Sequence, residues 1–516
     1  MTDLPPGWAK AKLSEICWIN PRVDKASIPL DSVVAFVPMP AVEAETGRID
    51  VTETRTFAQV RQGYTPFMQG DVLFAKITPC MENGKMAIVP DMLSEHGFGS
   101  TEFHVLRPAE GLDPRLIYFA VSNRAFRFHA EHNMTGAVGQ KRVPASVLEE
   151  HEIGLPPTNE QRRIVERIEA MFDEIDRGVE SLRKARTNLG LYRQSLLKSA
   201  FDGRLTADWR AKNADKLETP AALLARIREK RDARYKAALD AWQAALAEWR
   251  AGGEKGRKPA KPKRPNSYPD KFADLQITLP DMPFGWAWAH LGWCSSGPEY
   301  GTAAKSSAEG DVPVIRMGNL QRGRIDWENL VYTSDPDEIE QYTLRAGDVL
   351  FNRTNSPELV GKTSLYKGER PALFAGYLVR VNQIEEIASG PYVTYFLNSP
   401  IAREYGKTVK TDGVNQSNIN GTKLQEYPFP FCHPEEQAEI VRILDARLEA
   451  ADTLEAEIDA ALTRADALRQ SVLKQAFSGH LVAQDPEDEP AAALLARIMD
   501  ESATASKTKR RRAANA

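Results

Sequence analysis

The pattern of apolar and polar positions divides the chain into two kinds of segment, and each kind occurs twice. Short apolar runs come first: "VVAFVPM", "DVLFAKI", "MAIVP" and "FHVLRP", then, much later, "VPVIRMG", "DVLFNRT" and "YLVRVN". They are rich in β-branched and aromatic residues and are punctuated by Gly, Pro, Asn and Asp, which predicts strands joined by turns. "PRLIYFAVSNRAFRFHAEH" interrupts the first set as a helical piece. The second kind of segment is a long amphipathic stretch. From Glu160 the apolar positions are Ile164, Ile168, Phe172, Ile175, Val179, Leu182, Leu189 and Leu196, and later Ile440, Leu444, Ala451, Leu454, Ile458, Ala461, Ala465, Leu468 and Val472. Steps of three and four make a heptad pattern. Each predicts a helix of about 40 residues, about 60 Å long. Thr158 and Pro434 stand at the acidic first turns as start signals, and Gly203 and Gly479 follow the last apolar residues as stops. A stripe this narrow must be covered. The expected cover is the other helix, in an intramolecular coiled coil; the alternative is that each helix packs on its own globular domain.

The two sets are copies. "RQSLLKSAFDGRL" (Arg193 to Leu205) returns as "RQSVLKQAFSGHL" (Arg469 to Leu481), "PPGWAKAKL" as "PFGWAWAHL", "QGDVLFAKITP" as "AGDVLFNRTNS", "GAVGQKRV" as "DGVNQSNI", "LPPTNEQRRIV" as "FCHPEEQAEIV", and "PAALLARI" as "AAALLARI". Their order is conserved and the offset drifts only from 278 to 271, so one design is written twice. The expected fold class is α+β with an internal repeat. Residues 1–154 and 283–430 form two mixed, strand-rich domains, and 155–205 and 431–481 form the helices. Residues 206–282 form a helical insertion with a basic linker, and 482–516 a short helix and a basic tail. "AGGEKGRKPAKPKRPNS" is expected to be flexible and "SKTKRRRAANA" disordered. Either could touch phosphates, but the expectation is a solvated tether.

The formal net charge of −4 neither announces nor excludes a nucleic-acid partner, because the electrostatic footprint of such a protein is local. Cys17, Cys80, Cys294 and Cys432 are far apart and form no CxxC, which argues against a zinc ribbon or disulfide framework. With no long apolar run and no basic-then-apolar leader at the N-terminus, the expected localisation is cytoplasmic. "VGKTS" has Ser356 where a phosphate-binding loop needs Gly. His129 and His132 in "HAEH" lack a third ligand and read as surface histidines, and the recurring "GD" (Asp71, Asp348) reads as a turn before a strand. No catalytic constellation emerges.

These phrases in this order resemble the specificity subunit of type I restriction–modification enzymes: "GW" opening each domain, "GDVLF", "GxxxQ" or "GVNQ", "NEQ" or "EEQ" opening each helix, and "LLKxAFxGxL" closing it. The resemblance covers nearly the whole chain. It implies that each strand-rich domain is a target-recognition domain reading one half of a split, asymmetric DNA site. It also implies that the helices are antiparallel spacers setting the gap under a pseudo-two-fold repeat, and that two methyltransferase subunits and restriction/translocase subunits dock on this chain. Catalysis, with S-adenosylmethionine, ATP and Mg2+, would lie in those partners, and this subunit would bind no cofactor or metal itself. The "LLARI" helices are expected either to pack on methyltransferase subunits or to cap the coiled coil. Base reading calls for Arg, Lys, Asn and Gln on loops. The candidates are Lys76, Thr78, Lys85, Gln140, Lys141 and Arg142 in the first domain, and Arg316, Asn319, Arg353, Asn355, Lys362, Gln416 and Asn418 in the second; for each, a turn-forming, solvated role stands beside the reading role. The alternatives from other classes are a coiled-coil scaffold that reads no DNA and a self-contained DNA-modifying enzyme.

Overall fold

The computed structural model describes residues 4–501 except 138, 257, 270, 271, 273 and 274; the C-terminal basic tail of the sequence analysis lies outside the described residues. The chain divides into two compact units, Met1–Lys184 with Ile458–Ala516, and Ala185–Glu457. Three long helices matter here: α1 (Thr158–Phe201), α2 (Pro220–Ala251) and α3 (Pro434–Phe477). The heptad stretches are thus two helices of equal length, each contributing to both units.

In the first unit, one sheet orders Cys17–Ile19, Phe103–Pro108, Val72–Ala75 and Met86–Ile88, all antiparallel. A second orders Thr54–Thr56, Val33–Val37, His96–Gly99 and Thr65–Met68, with one parallel pair between Val33–Val37 and His96–Gly99. The second unit repeats this plan. Glu299–Tyr300, Leu378–Arg380, Val349–Asn352 and Thr363–Leu365 form the antiparallel sheet, and Val312–Ile315 pairs in parallel with Leu373–Phe374. The fold is α+β, as the alternating patterns predict. The helical piece after Asp113 is two helices, Pro114–Ser122 and Arg124–His132, because Asn123 leaves helical geometry and its side chain caps the second one.

The duplicated phrases mark the joints between strands and helices. Trp8 Nε1 donates to Glu160 Oε2 at 3.1 Å, and Trp286 Nε1 donates to Glu436 Oε2 at 2.8 Å. Gln161 donates to the Pro156 carbonyl and Gln437 to the Cys432 carbonyl. "GW" and "NEQ"/"EEQ" therefore clamp the first strand of each domain to the first turn of its helix. Gly203, at φ +79°, packs on Pro283, and Gly479, at φ +73°, packs on Pro5. Each domain is thus seated on the start of its own helix and on the end of the other one. Leu196, Leu197, Ala200 and Phe201 enter the core of the second unit, and Val472, Leu473 and Ala476 enter that of the first. "GD" is a brace, as its turn reading expects. Asp71 accepts from Met68 N and both arms of Arg107, and Asp348 accepts from Arg345 N and Arg380.

Within each unit α1 and α3 run antiparallel. Arg469 pairs with Asp176 and lies over the Phe172 ring in the first unit; Arg193 pairs with Asp452 (2.7 Å) and Glu455 (2.6 Å) in the second. Both arginines open the duplicated "RQS" phrase. Each helix also packs on its own domain, through Ile164 and Ile168 or Ile440 and Leu444, so coiled coil and domain packing coexist along one stripe. Leu454 and Leu468, assigned to the seam by spacing, are about half exposed.

In the second unit a tight hairpin, Leu320–Gln321 against Arg324–Ile325, turns through Arg322 at φ +50° and Gly323 at φ +80°. Arg322 reaches Glu455 at 2.6 and 2.9 Å, and Arg324 reaches Asp452 at 3.3 Å. Hydrogen bonds from Arg322 and then Arg193 hold the Glu455 carboxyl down to about 2. A carboxylate depressed on folding stabilises the native state above its unfolded pKa, and that contribution is lost as pH falls toward the folded value. Comparing the protein with Glu455→Gln should show a stability gap of about 1–2 kcal/mol at neutral pH, allowing for solvent at Arg322. The gap should shrink between about pH 5 and 2. A gap that stays constant in urea titrations across this range would show that the latch carries no linked proton.

Candidate nucleic-acid interface

Just past each "GDVLF" strand the chain enters a small sheet built the same way in both domains. In the first, Lys76 N donates to Glu102 O (2.9 Å), Val143 N to Lys76 O (2.9 Å) and Thr78 N to Lys141 O (3.0 Å). Ile77 and Thr135 both bridge Arg142. In the second, Arg353 N donates to Tyr377 O (3.1 Å) and Ile419 N to Arg353 O (2.9 Å). Thr354–Asn355 pairs with Ser417–Asn418, which pairs with Thr411–Asp412. Each small sheet ends in a protruding turn. The first is closed by Gln140 N donating to Ala137 O (3.0 Å), with Gly136 at φ +122°; the second by Gly413 N donating to Gln416 O (2.7 Å). Both turns are exposed, Val414 completely.

Nine of the thirteen candidates converge here: Lys76, Thr78, Gln140, Lys141 and Arg142 on one sheet, and Arg353, Asn355, Gln416 and Asn418 on the other. They differ in freedom. Gln140, Lys141 and Gln416 are exposed, and no protein group among the described residues engages their side chains. Arg142 forks onto both oxygens of Glu102 at 2.8 Å and donates to Gln140 O at 3.1 Å. That hydrogen-bonded pair holds the Glu102 carboxyl below its usual range, so Arg142 stiffens the turn. Asn418 Nδ2 donates to Thr354 Oγ1 (2.7 Å) and Asn355 Oδ1 accepts from Ser356 N (2.8 Å), both bracing the second sheet. Arg353 donates through Nε to Gly376 O (3.1 Å) and stacks over Tyr300 at 5.0 Å. Thr78 Oγ1 faces Met134 Sδ at 3.7 Å.

The other four lie outside the two sheets, and their polar groups are engaged within the domains. Asn319 is buried: its Oδ1 accepts from Arg316 N, and its Nδ2 donates to Asp326 O (3.1 Å) and Glu328 O (2.9 Å). A turn left its backbone groups unpaired, and the amide satisfies them. Arg316 donates to Asn329 O (2.6 Å) and Lys85 to Met39 O (3.2 Å). Lys362 points to Gln321 Oε1 (3.4 Å), where burial and then nearby Arg403 lower its pKa. Their polar groups hold turns of the domains.

The sequence reading missed Tyr300, Tyr377 and Lys410. Tyr300 and Tyr377 are about half exposed, the Arg353 guanidinium lies over the Tyr300 ring and its backbone N–H bonds Tyr377 O, and Lys410 bonds Asp412 (2.7 Å) at the base of the second turn. Tyr377 occupies the backbone position that Glu102 holds in the first domain. Aligning the strands Phe103–Pro108 and Leu378–Arg380 would have exposed that equivalence. The backbone frames agree while the side chains differ.

His132 Nδ1 bonds Phe128 O (2.8 Å), within its own helix, and no group of three or more His, Cys, Asp or Glu could hold a metal among the described residues. "VGKTS" is a turn entering the strand Thr363–Leu365. Among the described residues no helix is long and apolar enough to cross a membrane.

The model of the type I restriction modification DNA specificity domain matches residues 5–181 and 296–464, one match in each strand-rich domain and helix start. The chain belongs to this family. Its members among curated proteins include the EcoEI specificity subunit of Escherichia coli, 26% identical, covering 91% of this chain and 83% of that protein. The EcoKI specificity subunit of Escherichia coli K12 is 24% identical, covering 97% and 96%. A chain in a solved type I R-M system structure superposes with a TM-score of 0.66 at 19% identity, covering 93% of this chain and all of that one. The HsdS subunit from Thermoanaerobacter tengcongensis gives 0.50 at 20% identity, covering 93% and 98%. The fold is therefore that of type I specificity subunits, and the two protruding sheets stand in the family's two recognition domains.

Proposed function

We propose that each domain reads one half of a split, asymmetric DNA site through the turn of its small sheet. In this reading the antiparallel helices set the interval between half-sites and dock two methyltransferase subunits, joined by restriction/translocase subunits. S-adenosylmethionine, ATP and Mg2+ serve chemistry in those partners, and this chain supplies specificity. The observation that carries the reading is the duplicated sheet: one hydrogen-bonding frame, two sets of exposed side chains. Gln140 and Gln416 offer the amide that pairs bidentately with adenine, Lys141 suits a phosphate, and Arg353 over the Tyr300 ring suits guanine or a backbone contact. Lys76, Thr78, Asn355 and Asn418 shape the surface around them.

The test is co-expression with the cognate methyltransferase in a methylation-free host and sequencing for N6-methyladenine. A split motif is expected. Gln416→Ala should relax one position in one half-site, weakening discrimination there by about 1–3 kcal/mol. Lys141→Ala should weaken binding to all sequences and lower the salt slope by about one unit. Loss of both half-sites from either single change would refute the assignment of one domain to one half. A soluble complex that methylates nothing would favour the scaffold alternative.

A further inference from the structure

Residues 206–282 have no part in the reading above. The first half of α2 docks on the second domain: Leu223 and Ile227 are buried in its core, and the Arg228 guanidinium lies 4.4 Å from the Trp293 ring. The second "LLARI" helix docks in the same way. Like Leu223 and Ile227, Ala491, Leu494 and Ile498 are buried in the core of a domain, and Ala491 N bonds Gly7 O; neither helix offers these residues to a partner.

Beyond Arg231 the helix leaves the core. Tyr235, Leu239, Trp242, Leu246 and Trp249 recur at steps of four and three, and they alone are half-buried along an otherwise exposed helix. Their cover is the basic segment itself, which returns along α2. Trp242 Nε1 donates to Pro259 O (3.1 Å) and Trp249 Nε1 to Gly256 O (3.3 Å). Lys261 lies over the Trp242 ring (5.6 Å) and Lys258 over Trp249 (5.9 Å), while Arg231 donates to Asn266 O (2.6 Å). The expected loose tether is a docked strap.

The strap has a period of three. Pro259, Pro262 and Pro265 are half-buried, while Lys255, Lys258, Lys261, Lys263 and Arg264 are exposed. Three is the repeat of a polyproline II chain, which places every third side chain on one edge. Between Lys255 and Arg264 six of ten residues are basic and none is acidic, in a chain whose net charge is −4. Among the described residues none of the five exposed cations has a carboxylate within ion-pairing distance. From Lys258 onward, at roughly 3.1 Å per residue, the row Lys258, Lys261, Arg264 spans roughly 19 Å. Duplex DNA presents one charge per roughly 1.7 Å of its axis. A straight row of unpaired cations complements a rod-like polyanion.

We propose that this strap is a sequence-independent contact to the DNA phosphate backbone, beside the half-site read by the second domain. It rests on the DNA-reading assignment above. The test uses the full chain co-purified with its methyltransferase partner, binding one duplex with the methylated motif and one without, across a salt series. The variant is K255Q/K258Q/K261Q/K263Q/R264Q, which leaves the prolines and tryptophans in place; circular dichroism and tryptophan fluorescence check the fold. The slope of log K against log salt should fall by about three to four and a half units, up to 0.9 per lost phosphate contact. The loss should be equal on both duplexes, with the methylated motif unchanged. Lys→Arg replacements at the four lysines should keep the parent slope. A parent that binds DNA and a variant with the same slope overturn the proposal, including the case where the variant loses a protein partner instead. A parent that binds neither duplex overturns the DNA-reading assignment and the strap contact together.

Discussion

Glu436→Ala should destabilise the second unit by about 3–5 kcal/mol, while the same change at its repeat partner, Glu160, should cost much less. The Glu436 side chain is fully buried and holds three donors: Arg210 at 2.5 Å, Thr206 at 2.7 Å and Trp286 at 2.8 Å. Its removal leaves a guanidinium, itself mostly buried, without a counter-charge and two donors without an acceptor, which is why breaking such a pair costs more than the pair contributes. Glu160 accepts from Trp8, but no guanidinium bonds it among the described residues, because Arg163 pairs with Asp488 at 2.7 Å. Burial accordingly raises the Glu160 pKa. Glu160→Gln removes a poorly compensated charge and should fall within about 1 kcal/mol of the parent. Urea unfolding of the full chain, read by tryptophan fluorescence, checks both, and equal losses at the two positions would contradict the account.

Gly479→Ala should destabilise the first unit by about 2–4 kcal/mol, and Gly203→Ala the second by a similar amount. Two effects combine. Both glycines sit in the left-handed region, where a Cβ costs about 1–2 kcal/mol. A Cβ at Gly203 would also lie 2.6 Å from Pro283 Cγ, and one at Gly479 would overlap Pro5 Cγ more closely still. The parts separate in a double-mutant cycle. Pro5→Ala should recover the overlap in Gly479→Ala but not the conformational penalty, giving a coupling of about 1–2 kcal/mol. Thermal melts of the four proteins measure it, and strict additivity would mean that Pro5 does not press on Gly479.

The positions most constrained in the repeat are therefore joints. "GW", "NEQ", "RQS" and the closing Gly were legible as signals because each is a single residue type that local geometry demands: an indole donor, a buried carboxylate, a guanidinium, a residue free of Cβ. The strand runs and the heptads were legible for a related reason. Side-chain periodicity follows directly from backbone geometry, so Val72–Ala75, Val349–Asn352 and both long helices could be read before any contact was known.

The candidate interface was legible only in part. Its location followed from the phrase after "GDVLF", but the task of each polar side chain did not. Asn319 and Gln416 are alike in sequence as polar residues in turns. One is buried against Asp326 and Glu328 carbonyls and the other stands free. Arg142 has its fork filled by Glu102, forty positions away in the chain, while Lys141 beside it is exposed. Tyr377 lies beside Arg353 only because two strands pair. The strap on α2 escaped the sequence reading for the same reason, since Pro and Lys in alternation resemble a tether until tryptophans supply a surface for the prolines. The sequence by itself determined the elements, the duplication and the family, because those depend on local geometry and order along the chain. Tertiary structure alone decided which charges are paired, which amides are free and which segment lies on which, because those depend on groups far apart in sequence competing for the same hydrogen bonds and the same apolar cover.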